Sequence, residues 1–151
     1  MSKRFRKQSH TLYECKYHLV FCPKYRYRIF TDEVRKYTSE TIEKLVEQKE
    51  GLEIMELNVQ AEHVHLLMWI PPRYSVASVM GYLKGKAAIR ILQKYGNLRK
   101  KYWGKHLWSR GYSVSTIGLD EERIREYVKW QEKKEQEMEQ LQGELFDEGE
   151  D

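Results

Sequence analysis

Two histidines stand one residue apart in the segment EHVHLLMW, at His63 and His65. Side chains alternate between the two faces of a strand, so a strand here places both imidazoles on one face, roughly 6–7 Å apart at the backbone. Both rings could turn toward one divalent ion and leave positions open for water or a phosphate oxygen. On spacing alone, the pair could equally be two surface imidazoles with no ligand. A metal site needs further groups.

The last predicted helix offers such groups in the segment EYVKWQ. Tyr127 and Gln131 are four residues apart and therefore share one helix face. The amide oxygen of Gln131 suits a hard cation such as Mg²⁺ or Mn²⁺. The phenol of Tyr127 could attack a phosphate. The chain has eleven tyrosines, so the simpler interpretation of Tyr127 taken by itself is an aromatic side chain that packs against the sheet.

The elements that must position these residues follow one another in the order strand, helix, strand, strand, helix, strand, helix. Period-2 and helical spacing predict strands over 13–22, 52–60, 63–70 and 107–117, and helices over 31–50, 75–94 and 120–142. Thr31 and Ser75 are the predicted N-caps, and a basic loop is predicted over 97–106. The order indicates an α+β fold: a βαββαβ ferredoxin-like antiparallel sheet with helices on one face, plus a C-terminal helix.

One strand fixes which face of this sheet meets the helices. Its alternate residues form a wholly apolar set, which we expect to face the helices: Val64, Leu66, Met68 and Ile70. The other set should lie on the opposite face: His63, His65, Leu67 and Trp69.

Charge is distributed unevenly, with a basic main part and a short acidic part at the C-terminal end. Residues 132–151 hold nine acidic and two basic side chains, and residues 1–131 hold 25 basic and 14 acidic ones. We therefore expect a basic arm over 1–9, one domain over 10–142, and an acidic, disordered tail over 143–151. A basic domain is typical of nucleic-acid binders, although many other proteins are also basic. No apolar run reaches the ~18–20 residues of a membrane span, and two unpaired cysteines suit a cytoplasmic protein.

Basic residues also cluster locally. The second helix carries Lys86, Arg90 and Lys94 as one stripe, together with Lys84, and its opposite face has a core pattern. Arg and Lys are interleaved with Tyr25, Tyr27, Tyr102 and Trp103, which suits single strands or hairpins whose bases can stack. The candidate phosphate contacts are Arg26, Arg28, Lys84, Lys86, Arg90, Lys94, Arg99, Lys100 and Lys101. The alternative is an ordinary solvated charged face. His18, in the first strand, is interpreted as a structural histidine.

Four segments together resemble the HUH single-tyrosine transposases of the smallest insertion sequences, which move as single-stranded DNA. These segments are EHVHLLMWIPP, YLKGKAAIRI, LWSRGYSVSTIG and YVKWQ. The resemblance covers roughly residues 10–132. A lone His-x-His is weak, but its combination with Tyr-x-x-x-Gln further along the chain is specific. One departure is that the family often has Asp or Asn before the first histidine, where this chain has Glu62.

The resemblance implies a site and a reaction. His63, His65 and Gln131 would coordinate one Mg²⁺ or Mn²⁺, and Tyr127 would be the nucleophile that forms a 5′-phosphotyrosine link and frees a 3′-OH. The partners implied are single-stranded DNA with subterminal hairpins and a second copy of the chain, with the active site shared between protomers and Gly118 as the hinge of the last helix. No nucleotide cofactor and no membrane are implied, and the location would be cytoplasmic and nucleoid-associated.

Three other interpretations remain. A non-catalytic single-stranded nucleic-acid-binding module would share the βαββαβ sheet but leave the His pair, Tyr127 and Gln131 unexplained together. A metal-dependent phosphodiesterase would use activated water, with Tyr127 only structural. A domesticated relative would cleave repeated chromosomal hairpins rather than move an element.

Overall fold

The computed structural model describes residues 6–8, 11–104, 106–116 and 141. Apart from Leu141, the predicted helix over 120–142 lies outside the described residues, and with it lie Tyr127, Gln131 and Gly118. The predicted acidic tail over 143–151 also lies outside them. The described residues fall into a short strand pair near the N-terminus and a larger unit within 15–117, which holds the sheet and helices.

The N-terminal strand pair was not predicted. Strand β1 (Arg6–Gln8) runs antiparallel to strand β2 (Thr11–Tyr13), with Arg6 opposite Tyr13. Residues 1–9 were predicted to form an arm, and the first strand of the sheet was predicted to start at residue 13. Strands of three residues are too short to display a recognisable period of two, so the pattern carries no signal for them.

The main sheet has four strands, each antiparallel to its neighbours, in the order β4-β5-β3-β6. Its strands are β3 (Lys16–Phe21), β4 (Glu53–Val59), β5 (Val64–Trp69) and β6 (Ser113–Thr116). Apart from one short additional α-helix after the second one, the chain order of strands and α-helices within 15–117 is βαββαβ, as predicted. The α+β fold class is confirmed. Strand β5 lies inside the sheet, between β4 and β3, so the residues at its start are held from both sides.

Helices α1 (Asp32–Glu47) and α2 (Val76–Lys94) cover one face of the sheet. Ser75 caps α2 as predicted, because its hydroxyl accepts a hydrogen bond from the backbone N–H of Ser78 at 3.0 Å. Thr31 occupies the N-cap position of α1, but its side chain makes no capping hydrogen bond. Among the helices of the described residues, none combines the length and apolar character needed to cross a membrane.

The apolar face of β5 packs into the core as predicted. Val64, Leu66, Met68 and Ile70 are each no more than 2% exposed. Burial of a side chain of this size contributes about 1.5–3 kcal/mol relative to exposure. A register slip of one residue would put these four on the opposite face and bury the imidazoles instead. The core therefore fixes the face on which the histidines lie.

The predicted end of the first helix was wrong by a few residues. Helix α1 ends at Glu47 rather than near residue 50, because the N–H of Gln48 already bonds to the carbonyl of Leu45 in a tightened last turn. The chain then turns through Gly51, whose φ of 91° favours glycine. A Cβ at Gly51 would also lie 2.8 Å from Cγ of Pro71, so the close approach excludes a side chain.

The segment after α2 also differs from the prediction. Residues 97–106 were predicted as a loop, but Gly96–Lys101 forms a short helix, α3, with Leu98 buried at 5% exposure as its apolar anchor. The predicted strand over 107–117 is reduced to β6, because Leu107 and Trp108 turn into the core. Trp108 keeps a single bridge to Pro23, and Gly111 then turns the chain with φ of 76°.

Candidate active site

The paired histidines lie at the start of β5, on the face opposite the helices. The preceding turn is closed by a hydrogen bond from the N–H of Gln60 to the carbonyl of His63, at 2.8 Å. Between the histidines, Val64 is fully buried and anchors the backbone. The ring centroids of His63 and His65 are 5.3 Å apart. An ion about 2 Å from one nitrogen of each ring fits this separation.

Glu62 orients the first imidazole. Nδ1 of His63 donates a hydrogen bond to Oε1 of Glu62 at 2.8 Å, which leaves Nε2 as the nitrogen available to a ligand. The other carboxylate oxygen accepts a hydrogen bond from Arg28 at 2.7 Å. The hydrogen bond from His63 holds the pKa of the Glu62 carboxyl below its usual value, and the Arg28 guanidinium acts in the same direction. Such carboxylate–histidine pairs are the usual outer support of a metal ligand.

His18 orients the second imidazole. The two residues lie on neighbouring strands, diagonally across the β3–β5 register, with ring centroids 4.5 Å apart. Nδ1 of His65 lies 3.5 Å from Nε2 of His18. A His65 protonated at Nδ1 would donate to His18 and leave its Nε2 for a ligand. His18 was predicted to be a structural histidine, and its contact with His65 was not predicted. The signal was the strand pairing, because only the register reveals which residues of β3 face His65.

The electrostatics of this cluster keep His65 in the form that binds metals. Burial lowers the pKa of His65 below its usual value, and the neighbouring imidazoles of His18 and His63 lower it further. A neutral imidazole is the ligand form of histidine. A neutral His65 beside His63 therefore suits a divalent ion.

A third protein ligand is not found within the described part of the chain. No group of three His, Cys, Asp or Glu side chains in that part could hold a metal ion. The predicted third ligand is Gln131, which lies outside it.

An open cleft of about 520 Å³ adjoins the histidines. His63 and His65 line it, together with two basic residues, Arg26 and Arg110. Arg26 was predicted as a phosphate contact. Arg110 was missed, because the predicted strand over 107–117 gave it no special position. Two arginines beside a histidine pair form an anion-binding cleft suited to a phosphate.

The loop that carries Arg110 is held in place by Lys84. Its ammonium donates hydrogen bonds to the carbonyls of Ser109 at 3.0 Å and Gly111 at 2.7 Å. The indole N–H of Trp108 donates back to the carbonyl of Lys84 at 2.9 Å. Burial lowers the pKa of Lys84. Lys84 was predicted as a DNA contact, which stays a prediction; in the structure its ammonium binds two carbonyls in the wall of the cleft.

The other predicted DNA contacts lie in different settings. On α2, Lys86 is exposed, Arg90 is half-buried and Lys94 lies 5.2 Å from the ring centroid of Tyr37. On α3, Arg99, Lys100 and Lys101 are exposed, and Arg99 donates to the carbonyl of Leu92 at 3.0 Å. Of the predicted set, the structure brings Arg26 to the cleft and Arg28 to Glu62.

Known proteins match this chain over most of its length. A family model described as IS200-like transposase matches residues 11–131. The transposase for insertion sequence element IS200 of Salmonella typhimurium is 42% identical over 133 residues, which cover 88% of this chain and 87% of that protein. The ISDra2 transposase TnpA of Deinococcus radiodurans is 32% identical over 125 residues, which cover 82% of this chain and 89% of that protein.

Solved structures agree with the sequence relatives. The chain resembles a Deinococcus radiodurans R1 protein assigned as a transposase, with a TM-score of 0.70, 30% identity, and coverage of 83% of this chain and 97% of that one. It shares its fold with a REP-associated tyrosine transposase bound to a REP hairpin, with a TM-score of 0.53, 16% identity, and coverage of 85% and 68%. On the extent of these matches, the chain belongs to the IS200-like transposase family.

Proposed function

We propose that this chain is a DNA strand transferase that cuts and rejoins single-stranded DNA at hairpin-marked ends of an insertion sequence. The observation that carries this proposal is the pair His63 and His65. Nδ1 of His63 lies 2.8 Å from Glu62, Nδ1 of His65 lies 3.5 Å from His18, and both residues line a cleft with two arginines. This donor set fits a divalent metal ion next to a phosphate.

The metal ion would be Mg²⁺ or Mn²⁺, held by His63, His65 and the amide oxygen of Gln131. When bound, it would polarise the scissile phosphate and neutralise charge that develops during the reaction. Other residues of the chain bind the phosphate and orient the metal ligands. Arg26 and Arg110 hold the phosphate in the cleft. Glu62 and His18 keep the two imidazoles oriented, so that little reorganisation accompanies the reaction.

Tyr127 is the nucleophile in this mechanism. Its phenolic oxygen forms a bond to phosphorus, and the bond from phosphorus to the 3′ oxygen of the preceding nucleotide breaks. The products are a 5′-phosphotyrosine and a free 3′-OH. One phosphoester replaces another, so the attack of a different 3′-OH reverses the step without a nucleotide cofactor. Cutting and joining are the same exchange run in opposite directions.

The active site is shared between two copies of the chain, with Gly118 as the hinge of the helix that carries Tyr127. A mixture of Tyr127→Phe and His63→Ala chains tests this arrangement. If each protomer's helix serves its partner's histidine pair, the mixed dimer contains one site with both Tyr127 and His63 intact and regains cleavage. Absence of rescue in a verified mixed dimer would argue for a site built within one chain.

Strand-specific labels test the reaction itself. The substrate is hairpin DNA with single-stranded flanks, taken from either side of the gene and incubated with Mg²⁺ or Mn²⁺. A 3′ label should move into a protein band on a denaturing gel, and a 5′ label should appear in a short free strand that a polymerase can extend.

EDTA and the Tyr127→Phe variant should abolish both products, and fully paired DNA should give neither. A free 5′-phosphate without a protein band would identify the phosphodiesterase that uses water. Binding without cleavage in both metals would favour a non-catalytic module.

A further inference from the structure

Three tyrosine rings form a row near the cleft, two from the segment that follows β3 and one from the end of α3. The ring centroids of Tyr25 and Tyr27 are 5.4 Å apart, and those of Tyr27 and Tyr102 are 5.8 Å apart. We call Tyr25 and Tyr27 the tyrosine pair. Their side chains are 54% and 38% exposed, whereas Tyr102 is 2% exposed. Adjacent exposed rings form an apolar patch, and such patches rimmed by polar residues indicate an interaction site.

Tyr102 is the buried support of this pair. Its hydroxyl donates a hydrogen bond to the carbonyl of Lys24 at 3.2 Å, and the N–H of Lys24 donates to the carbonyl of Leu107 at 2.7 Å. Burial raises the pKa of Tyr102 to about 12, so its hydroxyl remains a donor at neutral pH. Both bonds hold the backbone just before Tyr25. The pair is therefore presented by an ordered segment.

The backbone at Tyr25 and the residue after it is strained. Tyr25 has φ of 65° and Arg26 has φ of 50°, in the left-handed region that bulky side chains rarely adopt. Consecutive residues of this kind persist only where the surrounding structure over-determines them, and they concentrate at binding and catalytic sites. Here, the turn leaves the Tyr25 ring exposed while Arg26 lines the cleft. A phosphate contact and an exposed ring thus come from adjacent residues.

Cations lie close to both rings. Nζ of Lys101 is 4.3 Å from the ring centroid of Tyr27, and Nζ of Lys24 is 5.7 Å from that of Tyr25. The segment KYRYR contains no acidic residue. Aromatic faces flanked by basic side chains are the combination that binds single-stranded nucleic acid, because bases stack while cations follow the phosphates.

We propose that the tyrosine pair stacks on unpaired bases of the DNA strand whose phosphate Arg26 holds in the cleft. The ligand is single-stranded, because the faces of bases in a duplex already stack on each other. This inference rests on the proposed function of the cleft. The tyrosine pair would bind the strand next to the cleavage site. This binding would not depend on sequence, since every base offers a face for stacking.

The test compares two strands that differ only in their bases. Fluorescein-labelled oligothymidine and an abasic strand of equal length are titrated with the full-length protein in EDTA, which prevents cleavage. The wild-type protein should bind oligothymidine about tenfold or more tightly than the abasic strand. Replacement of both rings, as Tyr25→Asn with Tyr27→Ala, should bring this ratio close to one and leave the affinity for the abasic strand unchanged. Asn is chosen at residue 25 because it tolerates the left-handed backbone.

Control variants separate stacking from folding. Tyr27→Phe keeps the ring and should recover the ratio that Tyr27→Ala loses. Met55→Ala removes a side chain of similar exposure, 46%, from the edge strand β4 and should leave the ratio as in wild type. Equal losses of affinity for both strands in the double variant, or a wild-type ratio near one, would overturn the inference while leaving cleavage intact. Binding of neither strand would also overturn the inference, whereas cleavage of hairpin DNA in Mg²⁺ or Mn²⁺ tests the proposed function separately.

Discussion

Nδ1 of His63 lies 2.8 Å from Oε1 of Glu62, and the same carboxylate binds Arg28 through its other oxygen. The residue before the first histidine is therefore a support for that histidine. The resemblance leads one to expect Asp or Asn at this position, and either side chain could accept the same hydrogen bond. Glu62 has a longer side chain but keeps an acceptor oxygen. The arrangement fixes which nitrogen of His63 is available to a ligand.

Loss of this support should weaken metal binding. We expect Glu62→Ala to reduce the affinity for Mn²⁺ by about 10- to 100-fold, the range for an outer partner of a ligating histidine. Glu62→Gln keeps an acceptor oxygen and should lose less. Electron paramagnetic resonance of free Mn²⁺ measures both. Equal affinities for wild type and Glu62→Ala would show that the carboxylate does not orient the ring.

His18 should act on metal binding through His65. His18→Leu removes the partner of Nδ1 and should lower Mn²⁺ affinity within the same range of about 10- to 100-fold. His18→Asn retains an acceptor at this position and should recover part of the loss. The melting temperature of each variant in EDTA serves as the control for folding. A loss of stability without any loss of Mn²⁺ affinity would return His18 to the structural role first assigned to it.

The lowered pKa of His65 predicts a pH dependence of stability in the metal-free protein. The folded pKa of His65 lies below the unfolded value of about 6.5, so between these values the unfolded chain binds more protons than the folded chain. Above about pH 6.5, His65 is neutral in both states and does not affect stability. As the pH falls below that value, protonation favours the unfolded chain, so the free energy of unfolding decreases. Melting curves in EDTA should show a steeper decline on acidification for wild type than for His65→Gln. Parallel declines would contradict the shift.

The same substitution at two lysines of α2 should affect two different properties, stability in one case and DNA binding in the other. Lys84→Met leaves the carbonyls of Ser109 and Gly111 without their donor and should cost about 1–3 kcal/mol of unfolding free energy. Lys86→Met should leave stability unchanged and lower the salt slope of single-stranded DNA binding by roughly 0.7, as expected for one lost phosphate contact. Chemical denaturation and salt titrations measure the two effects. A reversed pattern would place Lys84 on the DNA and Lys86 in the fold.

The face of the sheet that holds the site could be predicted from the sequence, because a period of two is a local pattern. Val64 and Leu66 had to be buried by the helices, and His63 and His65 followed onto the other face. The N-cap at Ser75 was predictable for the same reason, since capping depends on residues three positions apart. The family resemblance supplied what periodicity could not, which is the reaction.

Long-range contacts account for what was missed. His18 reaches His65 only through the β3–β5 register, and Arg110 reaches the cleft only because Lys84 holds the loop around it. The same loop shortens the last strand to Ser113–Thr116. Residues 6–8 form a strand because a partner at 11–13 pairs with them, and three residues carry too little pattern to indicate this. Each of these features depends on contacts between residues that the local sequence pattern does not reveal.

The identity of the nucleophile is the central claim, and peptide mapping tests it most directly. Wild-type protein is incubated with hairpin DNA from the gene's flanks and Mg²⁺ or Mn²⁺, then digested with nuclease and protease and analysed by mass spectrometry. We predict a nucleotide joined through its 5′-phosphate to Tyr127 in the segment EYVKWQ, and no such peptide in EDTA. Cleaved DNA without any nucleotide on the protein, or a nucleotide on one of the other ten tyrosines, would contradict the account.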